Sequence, residues 1–264
     1  MTLRNRKMST ITPPPIPADA LGRQPVNWTK KFMSLFGCLA LIAGFCLFLP
    51  RLLADHPDSS PAAASISSDP WAISDDVYTY EELITNTAIE YGIEPYKDIL
   101  LCITQVESAG SGQDVMQASE SLDLPLDSLN PYQSVRQGVS YFASLLQKGN
   151  ELGVDLDCVI QSYNYGSGFL DFAAQNGGSY TFELAQEFAR IHSNNEKVDY
   201  PNPIAVEKNG GYRYNYGNMF YVQLVNRYLD RLHEKQALES QAEASSQPDQ
   251  SEQSRGLRWA SNCF

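Results

Sequence analysis

The chain has no CxxC pair and no Cys/His cluster at metal-ligand spacing, and its three histidines, His56, His192 and His233, are scattered. A protein-held metal therefore has no donor set, so no metal is expected, and no motif calls for a cofactor. Basic charge is scarce as well: 19 Lys and Arg stand against 31 Asp and Glu, for a formal net charge of -12 and a pI of about 4.6. Phosphate recognition needs a basic face that this balance does not supply, which argues against nucleic acid as a partner. The acidic excess itself reads as a solvated surface. Strand signals are few. Of the five cysteines, Cys38 and Cys46 fall in an apolar run and Cys263 lies beside the C-terminus. Cys102 and Cys158 remain, each inside an apolar helical stretch. An outward-facing domain would permit a disulfide, but two buried thiols acting as small hydrophobes are the favoured reading.

Charge is also missing from Phe32 to Leu49, 18 residues that are long enough to cross a bilayer. Lys30 and Lys31 precede this run, with Arg4, Arg6, Lys7 and Arg23 upstream, whereas Arg51 alone follows closely. The positive-inside rule then puts the N-terminus in the cytoplasm and the remainder outside the cell membrane, as a single-pass protein. A cleaved signal peptide is the competing reading, with Leu52-Leu53-Ala54 a poor cleavage site because a large residue stands three before the cut. Residues 1–31, with Pro13-Pro14-Pro15-Ile16-Pro17, read as a disordered cytoplasmic segment and 32–49 as a transmembrane anchor. Residues 50–77 read as an extracytoplasmic linker rich in Ser, Pro, Ala and Asp, and 235–264 as a disordered tail rich in Glu, Gln, Ser and Ala.

Between linker and tail the periodicity is helical, and the fold class is mainly α. Ile99, Cys102, Ile103 and Val106 form an i, i+3, i+4, i+7 stripe, while Leu100 and Leu101 make the other side apolar too, the pattern of a core helix. Gly110 and Gly112 then stop it. Asn130 and Pro131 open a helix with the apolar face Val135, Val139, Phe142 and Leu146, ended by Gly149 and Gly153. Asp155 caps the next, leading through Cys158, Val159 and Ile160 to Tyr163-Asn164, and Thr181 opens a stretch carrying Leu184, Phe188 and Ile191. A last helix shows Tyr221, Val225, Tyr228 and Leu232 on one face.

Glu107 closes the first of these helices. The unpaired carbonyls of a helix C-terminus disfavour negative charge, and burial does the same, so both effects raise its pKa. Such a carboxyl holds a proton near neutral pH and can donate it to a leaving group. A lone glutamate at a helix end more often just meets solvent, and what shifts the balance is the order of the surrounding motifs.

Gln105-Val106-Glu107-Ser108 is followed by Gln113-Asp114-Val115-Met116-Gln117-Ala118-Ser119-Glu120-Ser121, then by Gln161-Ser162-Tyr163-Asn164-Tyr165-Gly166, and finally by Tyr216-Gly217-Asn218-Met219-Phe220-Tyr221-Val222. Over residues 78–234 this series resembles the bacterial lysozyme-like (muramidase) cell-wall hydrolases, related to soluble lytic transglycosylases and goose-type lysozyme, especially the modules found with conjugative elements. The resemblance implies a lysozyme-like helical domain that cleaves the MurNAc to GlcNAc β-1,4 linkage of peptidoglycan. It puts Glu107 in the general-acid position and Gln117, Ser119, Tyr163, Asn164 and Tyr221 at the substrate. The transglycosylases usually show Gly-Leu-Met-Gln where this chain has Asp114-Val115-Met116-Gln117, and Ala-Tyr-Asn where it has Ser162-Tyr163-Asn164, which brings it nearer to the smaller lysozyme-like family.

Glycosidic cleavage usually takes a second carboxylate, and Asp114 and Glu120 flank the motif that the resemblance places at the cleft. For each, a cap or a solvent-facing side chain is the stronger reading. A single acid suffices where the substrate's own acetamido or 6-hydroxyl group supplies the nucleophile, which makes a lytic transglycosylase. Asn164 reads equally as part of a buried polar network. The Tyr212-Arg213-Tyr214-Asn215-Tyr216 stretch reads either as cleft lining or as a corner packed on the core. A non-catalytic glycan-binding scaffold of a wall-synthesis or conjugation machinery is the rival from another class, and an intact Glu107 argues against it. No Cys/His pair follows the domain to make a second, peptidase module.

Overall fold

Nine α-helices and one antiparallel strand pair make up residues 69–246, the part of the chain that this computed structural model describes. Residues 1–31, the 32–49 run read as a membrane anchor, most of the stretch read as a linker and the end of the tail lie outside the described residues. Among the described residues no helix is long and apolar enough to cross a membrane. In chain order the helices are α1 (Asp75–Tyr78), α2 (Glu81–Glu90), α3 (Lys97–Ser108), α4 (Pro131–Leu152), α5 (Leu156–Tyr165), α6 (Gly168–Gln175), α7 (Phe182–His192), α8 (Pro203–Asn209) and α9 (Tyr221–Ser246).

The apolar run does form the core helix. Leu100, Leu101, Cys102 and Ile103 of α3 are buried on every side, because α3 packs on α9 and α2. Its stop is less simple than a glycine. Ala109 itself takes the left-handed cap conformation at φ 53. Gly110 follows at φ +80, where an added Cβ would lie 2.6 Å from the backbone of Asp76 and Val77. The entering chain is thus held against the end of α3, and Ser74 ties it there: its N–H donates to Gln105 Oε1 at 2.8 Å and its hydroxyl to Ala109 O at 2.7 Å. With Val77 fully buried, the packed unit begins before residue 78.

Asn130 and Gln133 close a reciprocal capping box at the start of α4, and Val135, Val139, Phe142 and Leu146 are all buried. Gly149 does not end this helix. It lies inside α4, where a Cβ would come 2.7 Å from Val159 Cγ2, so its missing side chain lets α4 and α5 approach, and Gly153 alone caps the end at φ +69. Asp155 and Thr181 accept the capping bonds from Cys158 N and Leu184 N as the sequence predicts. Ile191 turns out to be exposed. The buried face of α7 is Ala185, Phe188 and Ala189, with Phe188 stacked 5.3 Å from the Tyr165 ring.

The strand pair, β1 (Lys197–Asp199) and β2 (Tyr212–Tyr214), registers Val198 opposite Arg213. Three residues per strand are too few to show alternation in sequence. The aromatic stretch that contains β2 is a corner: Tyr214 and Tyr216 are buried, and the Tyr216 hydroxyl donates to Tyr165 O at 3.3 Å. α9 runs past residue 234 to Ser246 with its last turns exposed, where the Ala, Glu and Gln content supports helix without packing. Cys102 and Cys158 are both buried and free.

Candidate active site

Glu107 occupies the last turn of α3 and faces the first residue of α9. Tyr221 is buried, and its hydroxyl donates to Glu107 Oε1 at 2.6 Å. Burial, reinforced by the neighbouring carboxylate, pushes the Tyr221 phenol well above its ordinary value, so it remains a donor. Desolvation lifts the Glu107 carboxyl to about 7; the Tyr221 bond opposes that rise, and the charges of Asp114 and Glu120 add to it. Glu107 is only half-buried as a residue. Its carboxyl is crowded by protein yet open on one side, the condition for an acid that is half protonated near neutrality and can still be reached. Tyr221→Phe should therefore keep the fold and raise the Glu107 pKa further, since a hydrogen bond to the charged form is lost. A pH–rate profile should show the alkaline limb displaced upward by about one unit. An unmoved limb would show that the bond does not tune the acid.

The loop between α3 and α4 is built around Asp114, which is buried. Its Oδ1 accepts from Ala118 N at 2.8 Å and from the Ser134 hydroxyl at 2.6 Å, and its Oδ2 accepts from Ser119 N at 2.9 Å and from the Ser119 hydroxyl. Those four donors fill the acceptor positions of a carboxylate, so Asp114 fastens the loop to α4. Ser119, expected at the substrate, is corrected by the same bonds. It has no exposed surface, and its hydroxyl also accepts from Ser128 N at 3.1 Å. Glu120 lies on the exposed side of the turn, and partial desolvation, then the Asp114 charge, raise its carboxyl.

Ser108 ties the end of α3 to this loop by donating to Val115 O at 2.6 Å. Met116 follows, with its N–H on Ser134 Oγ at 2.9 Å and its carbonyl accepting from the Tyr163 hydroxyl at 2.9 Å. Gly138 makes room for this crossing: a Cβ there would fall 2.7 Å from both Met116 Sδ and Tyr163 Oη. Tyr163, which the resemblance puts at the substrate, is thus a buried strut, its ring 5.5 Å from that of Tyr141 and 6.4 Å from that of Phe142. Gln117 adopts φ 46, an uncommon conformation for a residue with a side chain. Its Nε2 donates to Asp114 O at 3.0 Å and its Oε1 accepts nothing among the described residues.

Asn164 is half-buried, and its Oδ1 accepts from Asn218 N at 2.6 Å, which fixes the amide orientation. Its Nδ2 donates to nothing among the described residues and is available to a ligand. Gly217 permits the contact, since a Cβ there would lie 2.6 Å from Asn164 Oδ1. Asn218 is the residue that sequence reasoning passed over. Its carbonyl accepts from the buried Gln161 Nε2 at 3.0 Å, its Oδ1 accepts from Phe220 N at 3.0 Å, and its Nδ2 donates to the Tyr200 hydroxyl at 3.1 Å. It fixes the start of α9, hence Tyr221, relative to Asn164. The only hint in the sequence was an asparagine beside a glycine just ahead of a helix.

Among the described residues no group of three or more His, Cys, Asp or Glu side chains could hold a metal ion. The structure brings Glu107 and Tyr221 into contact and puts Asp114 and Glu120 within electrostatic reach. It leaves Gln117 and Asn164 each with one free polar group, and it assigns Ser119 and Tyr163 to the framework.

Comparison with known proteins gives this arrangement relatives. The chain is 37% identical over 147 residues to the Uncharacterized membrane protein YocA of Bacillus subtilis, a stretch that is 55% of this chain and 65% of YocA. It is 34% identical over 122 residues to the Bifunctional muramidase/DL-endopeptidase CwlT of the same organism, 46% of this chain and 36% of CwlT. A solved structure described as similar to lipoprotein, NLP/P60 family, from Staphylococcus aureus superposes with a TM-score of 0.59 at 54% identity, over 60% of this chain and 54% of that one. The chain thus spans less than two thirds of each of these proteins. The Lysozyme-like family model matches residues 74–229, more than half of the chain and all of the elements that build the site, and the chain belongs to that family.

Proposed function

We propose that the protein cleaves the glycan strands of peptidoglycan at the MurNAc to GlcNAc linkage, with Glu107 as the general acid. The observation that carries this is the Glu107 carboxyl itself, lifted to about 7 by desolvation and addressed by the Tyr221 hydroxyl at 2.6 Å. In the reaction Glu107 gives its proton to the glycosidic oxygen as the C1–O bond breaks, and positive charge develops on the sugar ring. Gln117 and Asn164 hold acetamido or hydroxyl groups through their free amide atoms. The similarity to the Bifunctional muramidase/DL-endopeptidase CwlT supports the substrate class.

A second reading of the chemistry is favoured by Asp114. A buried carboxylate that already accepts four hydrogen bonds has no lone pair for a substrate carbon or a water. Attack at C1 by the substrate's own acetamido oxygen, and then by its 6-hydroxyl, needs no second carboxylate and returns the proton to Glu107. That path releases a 1,6-anhydro sugar and makes the enzyme a lytic transglycosylase.

We also place the domain outside the cell on a single membrane anchor at residues 32–49, in keeping with the membrane-protein description of YocA. One experiment addresses location and activity together. The full-length protein with a C-terminal tag should be recovered from the membrane fraction and should clear a gel containing peptidoglycan. A soluble extracellular species that has lost mass up to about Ala54 would refute the anchor, and a folded membrane species without clearing would favour the scaffold role.

A further inference from the structure

The aromatic corner that contains β2 holds a cation without a counter-charge. Arg213 is half-buried, and burial pushes its guanidinium below its ordinary value, yet among the described residues no carboxylate pairs with it. A desolvated charge is unfavourable unless its hydrogen-bonding groups are used. Here they are used on backbone. Nη1 donates to Gly217 O at 2.7 Å and to Tyr214 O at 3.3 Å, so one nitrogen joins the two ends of the Tyr214–Gly217 turn. The guanidinium carbon lies 5.8 Å from the centre of the Tyr200 ring.

Gly217 is what this bond holds in place. It sits at φ +49, and a Cβ there would fall 2.7 Å from the Tyr165 ring as well as against Asn164 Oδ1, so the turn is pressed on α5 while Arg213 grips its carbonyl. Asn218 follows. Its N–H is on Asn164 Oδ1 at 2.6 Å and its carbonyl accepts from Tyr221 N at 3.0 Å, so the position of Gly217 decides where α9 begins. Tyr200 braces the same turn: its hydroxyl accepts from Asn218 Nδ2 at 3.1 Å, and its ring stacks 5.9 Å from that of Phe220. The Tyr221 hydroxyl then ends 2.6 Å from Glu107 Oε1. An unbroken series of bonds therefore runs from Arg213 to the acid.

We propose that Arg213 is a positioning residue for the acid: by holding Gly217 O it fixes the turn that starts α9, and so aims the Tyr221 hydroxyl at Glu107. The proposal rests on the reading of Glu107 as the general acid. An apolar side chain of similar length would fill the same space without the burial of a charge, so what the corner takes from arginine is its donors. A charge-assisted bond to a carbonyl is shorter and stronger than a neutral one, and the planar guanidinium loses little freedom in making it. Arg213 touches neither Glu107 nor Tyr221, and it acts on both through the backbone between them.

The test uses the full-length protein in detergent, isotope-labelled at its glutamate carboxyls, with the Glu107 signal followed by NMR and identified by its loss in Glu107→Gln. Arg213→Met should raise the pH at which this signal titrates by about half a unit, because a poorly placed Tyr221 hydroxyl bonds the charged carboxylate less well. In a Tyr221→Phe background the same change should move it no further. Asp114, Glu120 and Tyr163 also interact electrostatically with Glu107, and none of them lies on the turn, so their effect is common to all of the variants. On peptidoglycan, Arg213→Met should lower kcat about three- to tenfold and change KM less. Should Arg213→Met not fold, Arg213→Gln, which keeps an amide donor on a shorter stem, is put through the same cycle. An unmoved titration in the folded variant overturns the proposal. So does a shift of equal size with and without the Tyr221 hydroxyl, which would make Arg213 a part of the general framework. A parent that does not cleave peptidoglycan removes the glycan reading, and the titrations still decide whether Arg213 aims Tyr221.

Discussion

Glu107→Gln is expected to abolish strand cleavage and, at pH 8, to yield a protein more stable than its parent. The amide keeps an oxygen to accept from Tyr221, so the α3–α9 contact survives, but it has no proton to transfer. General acid catalysis contributes roughly a hundred- to ten-thousandfold, and the loss should lie in that range. The stability gain follows from linkage. The Glu107 carboxyl is raised from 4.5 to about 7 on folding. Between those values the folded protein binds the proton more tightly than the unfolded chain does, so the raised pKa does no harm below about pH 4.5. Stability falls as pH rises toward 7, and the deficit is constant above it. A shift of this size corresponds to at most about 3 kcal/mol, and solvent on the open side of the cleft reduces it to about 1–2 kcal/mol. The neutral amide escapes the deficit. Thermal melts at pH 4 and pH 8, beside clearing of wall suspensions, check both halves: the variant should match the parent at pH 4 and exceed it at pH 8. Activity of the wild type should decline as pH rises through about 7, because the acid must be protonated. A folded variant with near wild-type clearing would remove Glu107 from the chemistry.

The core helix and its terminal acid were legible because both follow from local pattern: an apolar stripe at helical spacing, apolar residues on the opposite side, and a glycine-broken end. The caps at Asn130, Asp155 and Thr181 were legible for the same reason, each being a side chain bonded to a backbone N–H three residues on. What could not be read is whatever depends on approach between distant segments. Gly149 looked like a helix end, since a glycine's role in bringing α5 close appears only when Val159 stands opposite it. The resemblance put Ser119 and Tyr163 at the substrate; the Tyr163 hydroxyl is taken by Met116 O from a distant segment, and the Ser119 hydroxyl by Asp114 within the same loop. Asn218 showed little beyond an asparagine beside a glycine, because its bonds to Gln161, Asn164 and Tyr200 are all long-range.

Asp114→Asn and Glu120→Gln should separate structure from chemistry in opposite ways. In Asp114→Asn, one carboxylate oxygen is replaced by an amide nitrogen, and two buried donors, either the Ala118 N–H and the Ser134 hydroxyl or the Ser119 N–H and its hydroxyl, lose their acceptor. Donors left unpaired in the interior cost about 1–3 kcal/mol each, so a loss of about 3–5 kcal/mol is expected, concentrated in the loop that carries Met116 and Gln117. Activity then falls because the loop is misplaced, and it should recover in part at low temperature or in the presence of substrate, which a lost nucleophile would not. Glu120 meets solvent, and its removal should leave the fold intact. What it does to the products is the informative part. If strands are still cut by Glu120→Gln at near the parental rate and end in 1,6-anhydro-MurNAc by mass spectrometry, no carboxylate assists Glu107 and the substrate supplies the nucleophile. If clearing drops as far as it does in Glu107→Gln, and the residual ends are reducing sugars, Glu120 is the base that activates water and the enzyme is a muramidase. The Glu120 carboxyl, raised by partial desolvation and then by the Asp114 charge but exposed on one side, has the access for that role that Asp114 lacks. Which of the two chemistries operates therefore turns on one exposed glutamate, because the buried aspartate beside it is already fully bonded.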